Sequence, residues 1–457
     1  MRKLKFSKSL VDVTKISGGT AVGQIILTVT LPLISRIYGA EILGIWTTIT
    51  AISSIVYNVC DLGLTNALMV CPKERLAWIY GLIVKIAVII SSFAGIIVFL
   101  CKKGGGEPLN DSIMISCLVV VYAMTLCGVN LCSVVLNREQ QYTALMINSI
   151  LRFSVVAIVA ISMGLLGWTK YGYFIANIMG QVITIFHMMR FMPKMQYSHK
   201  IEEVRIFIEE NINFVRYQMP AAITITMRTE LPNLLIGELF GNAMLGYYSI
   251  SQKLLTIPVT FLGQSLGKVF FQKIAEMKRN GIAIGSFVER NINRGMVLAL
   301  IPMTVLAAVG DVAVIFFFGS EYYVGGIICR IMVFRSLFNF ISTSTQGIDI
   351  VLDKQQYVLC TCLIQTILSA GSVIMGYYLF DSIYITVLLI VTSFIVVQVG
   401  YFIFLYRVMK LNAMKYLRNI AFIIICMLVA SVFIRKSVFF LLQMIPFEPI
   451  NKLTQYF

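Results

Sequence analysis

Residues 38–47 read YGAEILGIWT, and residues 240–249 read FGNAMLGYYS. Both segments run aromatic residue, glycine, three residues, Leu-Gly, one residue and a second aromatic residue. Each segment follows a Leu-Pro pair, at residues 31–32 and 231–232. We refer to the two segments as the two copies of the corner motif. Their recurrence about two hundred residues apart predicts an internal repeat.

The composition around the corner motif sets the protein class. Of the 457 residues, 58% are hydrophobic and only 13% are charged, and the mean hydropathy is +0.87. Soluble domains carry about twice this share of charge. Long apolar runs of roughly 20 residues are typical of transmembrane helices, whereas a β-barrel shows short alternating segments. The sequence therefore predicts an all-α polytopic membrane protein.

Thirteen apolar runs are long enough to be membrane spans. They lie near residues 17–38, 43–70, 76–100, 112–136, 142–166, 171–193, 214–238, 243–270, 295–318, 323–350, 356–380, 383–406 and 417–434. A weaker segment at 437–447 is either part of a fourteenth span or an interfacial segment. The basic N-terminus precedes a run of full spanning length without a cleavage signal, so we predict a retained first helix.

The position of the corner motif predicts how the spans are arranged. Its first copy joins spans 1 and 2, and its second copy joins spans 7 and 8. Because six spans separate the copies, both have the same orientation, which is typical of a parallel repeat. We expect two six-helix bundles facing a central cavity. We assign the motif an architectural role, with Gly39 and Gly241 at positive φ in the reversals.

This repeat sets the predicted domain limits. The N-terminal six-helix bundle comprises residues 1–193, and the C-terminal six-helix bundle comprises residues 214–410. A cytoplasmic linker at 194–213 joins them, and one or two additional helices occupy residues 411–457. Within 201–214, isoleucine and valine residues recur at helical spacing, which favours an amphipathic helix at the membrane surface.

The loops predict the orientation of the chain. Lys and Arg are concentrated in the loops on the same side as the N-terminus, and such loops are usually cytoplasmic. We therefore predict a multi-pass protein of the bacterial cytoplasmic membrane with a cytoplasmic N-terminus. The same loops account for the net charge of +16, so we expect no nucleic-acid partner.

Charged residues within the spans are the candidate site residues, because ionisable groups at bilayer depth are costly. The candidate cations are Arg36, Lys85, Arg152, Arg228, Lys253 and Arg335, and the candidate acids are Asp61 and Glu230. The excess of positive charge predicts a path that attracts anions. Arginine binds phosphate oxygens two at a time, so we expect a substrate with a phosphate or several carboxylates. An exporter of organic cations would instead favour acids and aromatic residues.

Several of these charges have an alternative, structural interpretation. Long basic side chains can extend to the interface or pair with acids, and this applies most to Arg36, Arg330 and Lys253. Arg228 and Glu230 are two residues apart and point to nearly opposite faces of a helix. Lys253 is a candidate partner for Glu230. Asp61 either binds a coupling proton or cation, or caps a broken helix beside Gly63.

No motif in the sequence indicates an enzyme. The ten cysteines lie mostly inside apolar runs, where they behave as small apolar side chains. Neither a P-loop nor a zinc-protease motif is present. We therefore predict no cofactor and no metal.

Four stretches resemble a known transporter family. They are LPLISRIYGAEILGIWTTITAISSI (31–55), ELPNLLIGELFGNAMLGYYSISQKL (230–254), FFFGSEYYVGGIICRIMVF (316–334) and STSTQGIDIVLDKQQ (342–356). Together they resemble Wzx-type polysaccharide (O-antigen) flippases. These belong to the superfamily that includes multidrug exporters and the lipid II flippase.

The resemblance implies both a fold and an activity. The implied fold is V-shaped and has two lobes. The implied activity is to move a polyprenyl-pyrophosphate-linked oligosaccharide, a repeat unit of O-antigen, capsule or exopolysaccharide, from the inner to the outer leaflet by alternating access. Arg36 matches the first-helix arginine of that family. One departure is that the family often has an acid where this chain has Leu231-Pro232-Asn233. Glu230 is only a nearby substitute.

The sequence and the resemblance also suggest an energy source for transport and the partners of the protein. Without an ATP-binding motif, we expect coupling to a gradient of H⁺ or Na⁺. A polysaccharide polymerase is an expected partner beside the lipid-linked oligosaccharide and the bilayer. The alternatives are a multidrug exporter of the same superfamily and, less favoured, a membrane-embedded glycosyltransferase or polymerase. The last would need catalytic acids or a large outer loop, and every predicted outer loop is short.

Overall fold

The protein is helical throughout the part that the structure, a computed structural model, describes: residues 2–106, 108–193, 211–212 and 214–444. The helices are α1 (Arg2–Asp61), α2 (Leu64–Val70), α3 (Lys73–Gly104), α4 (Leu109–Arg138), α5 (Tyr142–Leu165), α6 (Gly172–Met189), α7 (Met219–Phe240), α8 (Asn242–Pro258), α9 (Gln264–Arg279), α10 (Gly285–Phe318), α11 (Tyr323–Ser344), α12 (Ile348–Val351), α13 (Gln355–Phe380), α14 (Ile383–Val408) and α15 (Ala413–Met444). Single π-helical turns lie at Phe214–Gln218 and Val259–Gly263.

Within these ranges, eleven helices are long and apolar enough to cross a membrane. The first of them, Gly18–Asp61, joins the predicted run at 17–38 to most of the run at 43–70, whose remainder forms α2. The predicted run at 437–447 continues α15 without a break as far as Met444, so it does not begin a separate span. The remainder of that run, and nearly all of the predicted amphipathic helix at 201–214, lie outside the described residues.

The corner motif has the same backbone shape in both copies. Gly39 lies within α1 with φ 72° and ψ 170°, and Gly241 precedes α8 with φ 87° and ψ 166°. This region of backbone conformation is almost restricted to glycine. The prediction of positive φ at both glycines is confirmed.

The repeat continues beyond the motif, because the next helix is interrupted at a similar distance in both cases. Asp61 lies as far beyond Gly39 as Gly263 lies beyond Gly241. In the first case, α1 ends at Asp61, and Leu62 and Gly63 are left-handed. In the second case, Pro258, which has no N–H to donate, is followed by the π-helical turn that ends at Gly263.

The chain divides into two compact units, Met1–Glu230 and Leu231–Phe457. The division falls inside α7 rather than in the linker before it. The Asn58 amide of α1 donates a hydrogen bond to the Thr226 hydroxyl at 2.9 Å, so the first part of α7 packs on the first unit. The domain limits at 193 and 214 stay predictions.

Glycines bring α1 and α5 close together in the first unit. A Cβ added at Gly23 would lie 2.5 Å from the Phe153 ring, and one added at Gly164 would lie 2.3 Å from Ile37. Small residues allow such close helix approach within membranes. The Tyr38 hydroxyl also donates to the Ala160 carbonyl at 2.7 Å, which fixes the first copy of the corner motif against α5.

In each unit, a basic side chain links the helix that follows the interruption, α2 or α9, to another helix of the same unit. In the first unit, the Arg138 guanidinium donates to the Leu68 and Cys71 carbonyls, each at 2.6 Å, at the end of α2. In the second unit, Lys278 near the end of α9 donates to the Val351 carbonyl and, at 2.6 Å, to the Asp353 carboxylate. Basic groups are stabilising at helix C-termini, where carbonyls lack intrahelical donors.

Candidate functional site

The arginines of the second unit differ in whether they are bound to an acid. Asp311 of α10 is 2% exposed. Its carboxylate accepts from the Arg330 guanidinium of α11 at 3.2 Å and from the Arg435 guanidinium of α15 at 2.9 Å. The Arg330 Nε also donates to the Ala307 carbonyl, at 3.0 Å. Arg330 and Arg435 are therefore held in a structural cluster.

A local break in α10 shapes this cluster. Val309 departs from helical geometry, with φ −129° and ψ 18°. The Arg435 guanidinium donates to the carbonyl of Ala308, immediately before the break, at 3.1 Å. The C-terminal helix α15 is thus bound to the rest of the second unit through a buried acid. Neither the spacing nor the hydropathy of the sequence predicts this contact.

Arg335 has only neutral partners. One Nη of its guanidinium donates to the Tyr248 hydroxyl of α8 at 3.2 Å. The guanidinium carbon lies 5.1 Å from the centroid of the Phe394 ring of α14. Among the residues described, Arg335 has no carboxylate partner. Its side chain is half-buried, so an uncompensated positive charge is held at an accessible position between three helices.

Arg152 of α5 lies in a related setting in the first unit. The Tyr122 hydroxyl of α4 faces both the Arg152 guanidinium and the Gln181 amide of α6. Gln181 is completely buried, and its amide makes no hydrogen bond of good geometry to a described residue. A Cβ added at Gly180 would lie 3.1 Å from the Arg152 carbonyl, so this glycine allows α6 to approach α5 at the level of the arginine.

The corner motif contributes an aromatic ring to both settings. Trp46 and Tyr248 occupy the same place in the two copies. The Trp46 ring lies 4.7 Å from the Tyr122 ring, centroid to centroid, in an edge-on arrangement. Tyr248 accepts directly from Arg335. Each copy of the motif therefore places an aromatic ring beside an arginine or beside a residue near one.

The other candidate cations differ in exposure. The side chains of Arg36 and Lys85 are exposed, and those of Arg228 and Lys253 are half-buried. Among the described residues, none of Lys85, Arg228 and Lys253 forms a salt bridge. The structure brings none of the six candidate cations into a described contact with another. The pairing of Glu230 with Lys253 and the role of Arg36 stay predictions.

Asp61 acts as a helix cap. Its carboxylate accepts from the backbone N–H of Thr65, in the first turn of α2, at 3.1 Å. The N-cap position itself is Gly63, so Asp61 caps α2 from two residues further upstream and satisfies a donor that has no intrahelical acceptor. The capping alternative for Asp61 is confirmed, and its role in ion coupling stays a prediction.

The comparison with protein families decides the identity. A family described as "Polysaccharide biosynthesis protein" matches residues 24–324, well over half of the chain. The chain belongs to this family. The match covers both copies of the corner motif and the candidate cations from Arg36 to Lys253. No curated protein sequence matches this member of the polysaccharide biosynthesis family.

Solved structures show the fold of this family member. One is the lipid II flippase MurJ in an inward closed conformation, with a TM-score of 0.64 and 10% identity over 94% of this chain and 99% of that chain. Another is an inward-facing multidrug resistance MATE transporter of the MOP superfamily, with a TM-score of 0.56 and 11% identity over 87% of this chain and 95% of that chain. A third is a MOP superfamily transporter from Pyrococcus furiosus, with a TM-score of 0.50 and 12% identity over 88% of this chain and 96% of that chain.

These likenesses confirm the predicted fold class. The protein is a multi-pass membrane protein with the fold of the MOP-superfamily flippases and transporters. At 10–12% identity they show the fold alone.

Proposed function

We propose that the protein is a flippase that moves a polyprenyl-pyrophosphate-linked oligosaccharide from the inner to the outer leaflet. The observation that carries this proposal is the uncompensated charge of Arg335, held by Tyr248 and Phe394 rather than by an acid. A charge within an apolar span is costly unless something pairs with it. An anionic substrate supplies that partner during transport.

The substrate class follows from the chemistry of the cations. Pyrophosphate is the part of such a substrate that is least soluble in hydrocarbon, because it carries several negative charges. Arginine matches it with a planar fork of donors. Arg152 and Arg335 supply one half-buried guanidinium in each unit. Membership of the polysaccharide biosynthesis family supports a sugar-bearing substrate, and the likeness to a lipid II flippase supports a lipid-linked one.

Further properties belong to the same proposal. The protein lies in the bacterial cytoplasmic membrane with its N-terminus in the cytoplasm. Transport proceeds by alternating access and is coupled to a gradient of H⁺ or Na⁺. A polysaccharide polymerase uses the translocated substrate on the outer side.

A flipping assay tests the proposal. Purified protein is placed in liposomes with a fluorescent polyprenyl pyrophosphate-linked sugar, and an impermeant quencher reports the fraction in the outer leaflet. We expect the wild type to accelerate exchange, and Arg152→Ala and Arg335→Ala each to lower the rate at least tenfold. Arg290→Ala, which removes an exposed cation, should leave the rate unchanged. Exchange no faster than in empty liposomes would refute the proposal.

A multidrug exporter is the second candidate, supported by the likeness to a multidrug resistance MATE transporter. The charge of Arg335 argues against it, because a guanidinium without an acid repels organic cations. The same liposomes can be loaded with a cationic dye and given a proton gradient. Dye export without lipid exchange would replace the flippase by the exporter.

A further inference from the structure

We propose that Tyr248 and Phe394 are positioning residues that hold the Arg335 guanidinium so that its open side binds a phosphate oxyanion of the substrate. The inference rests on the proposed function and adds the residues that orient the Arg335 guanidinium. Both residues are uncharged at neutral pH, so the pattern of charged residues within the spans does not indicate them.

The two contacts restrain the guanidinium in different ways. The hydrogen bond from one Nη to the Tyr248 hydroxyl, at 3.2 Å, fixes one corner of the group. The Phe394 ring, 5.1 Å away, favours a cation above its face. Tyr248 is completely buried and Phe394 is 5% exposed, so packing holds both rings in place. A flexible side chain is thus ordered before the substrate arrives, which lowers the entropy cost of binding.

The restraints leave most of the binding capacity unused. A guanidinium has five N–H donors, and the described structure uses one of them at Arg335. Tyr248 and Phe394 are both neutral, so the full positive charge remains. Arg330, five residues earlier on α11, shows the opposite case, because its guanidinium is bound to Asp311 and to a backbone carbonyl. The same helix therefore carries one arginine that is bound to an acid and one arginine that has only neutral partners.

The open arginine selects for a particular anion. Parallel N–H groups on one edge of a guanidinium bind two oxygens of a phosphate or pyrophosphate together. Lysine provides a charge of the same sign without this fork. Arg335→Lys is therefore expected to retain the attraction for anions but to lose the oriented contact.

Binding measurements with two short probes test the inference. Full-length protein in nanodiscs is titrated with farnesyl pyrophosphate and with farnesol, which share the isoprenoid chain and differ in charge. Tyr248→Phe removes one hydroxyl and keeps the ring, and Phe394→Leu removes the ring. A hydrogen bond to a charged group contributes enough that we expect Tyr248→Phe to weaken farnesyl pyrophosphate binding about tenfold. Phe394→Leu and Arg335→Lys should weaken it similarly, and farnesol binding should be unchanged in all three.

Tyr247→Phe is the matched control. Tyr247 is adjacent on α8, and its ring packs against Tyr322 at 5.5 Å between centroids. Its hydroxyl makes no hydrogen bond among the described residues, so binding of both probes should equal that of the wild type.

The outcomes separate the inference from the proposed function. If the wild type fails to bind farnesyl pyrophosphate, the proposed function itself is wrong. If the wild type binds it and Tyr248→Phe and Phe394→Leu behave like Tyr247→Phe, the positioning role is overturned while the flippase proposal stands. If the two variants lose farnesol and farnesyl pyrophosphate equally, their role is structural and the inference is also overturned.

Discussion

Gly39 and Gly241 have the same backbone conformation in two places about two hundred residues apart, with φ/ψ of 72°/170° and 87°/166°. The residues that follow them are also matched. Trp46 and Tyr248 lie at the same distance beyond the glycine. Tyr248 accepts a hydrogen bond from Arg335, and Trp46 packs against Tyr122, which lies near Arg152. The helix that follows each glycine is also interrupted, after Asp61 in the first case and at Val259–Gly263 in the second. The repeat therefore extends from backbone shape to the candidate site.

The corner glycines should not tolerate a side chain. Alanine at either position would occupy a backbone region that costs on the order of 1–3 kcal/mol. We expect Gly39→Ala and Gly241→Ala each to lower the thermal unfolding midpoint of the detergent-purified protein. Gly371→Ala and Gly400→Ala are matched controls, because an added Cβ also meets nothing within 4 Å there and φ is not positive. Equal midpoints for all four variants would contradict the conformational argument.

Removal of the buried acid should damage the second unit. Asp311→Ala leaves two arginines without their carboxylate, and breaking a buried ion pair costs about 3–5 kcal/mol. We expect a large fall in the unfolding midpoint and poor recovery of folded protein on size-exclusion chromatography. Glu276→Ala removes an acid from an exposed pair with Lys273, and such pairs contribute about 0–1 kcal/mol. If Asp311→Ala matched Glu276→Ala in stability, the cluster would not hold α15.

Loss of Arg138 should loosen the end of α2. Its guanidinium binds two backbone carbonyls and lies 3.1 Å from the Cys71 sulfur. Hydrogen bonds from a charged group contribute about 1.5–3 kcal/mol. We expect Arg138→Ala to increase the rate at which a maleimide labels Cys71, which is buried, as followed by peptide mass spectrometry. Arg190→Ala, at an exposed cation of the same unit, should leave that rate unchanged, and unaltered labelling in Arg138→Ala would exclude the capping role.

Asp61 can be tested for capping and coupling separately. Asparagine is as good a helix cap as aspartate, whereas alanine loses about 0.5–2 kcal/mol. Because the structure shows the carboxylate capping α2, we expect Asp61→Asn to keep the unfolding midpoint and the flipping rate of the wild type. Asp61→Ala should lower the midpoint. A stable Asp61→Asn protein that no longer responds to a proton or sodium gradient would instead assign Asp61 to ion coupling.

Part of the candidate site could be predicted from single residues. The sequence indicated Arg152 and Arg335 because an ionised side chain is costly within any apolar run, whatever surrounds it. It did not indicate Tyr122, Gln181 or Phe394, because buried aromatic and amide residues are common in helical membrane proteins. The capping role of Asp61 was one of two alternatives, and only the distance to the Thr65 N–H decided between them.

The sequence by itself determined the protein class, most of the spans and the repeat, because these depend on local properties. A run of about 20 apolar residues suits the thickness of the bilayer, and a glycine adopts positive φ through its own lack of a Cβ. Only the tertiary structure decided which basic residues are paired with an acid. Asp311 meets Arg435 across 124 residues of chain, and Tyr248 meets Arg335 across 87. Helical periodicity assigns faces within one helix but not which faces of distant helices pack together, and that packing makes Arg330 structural and leaves Arg335 open.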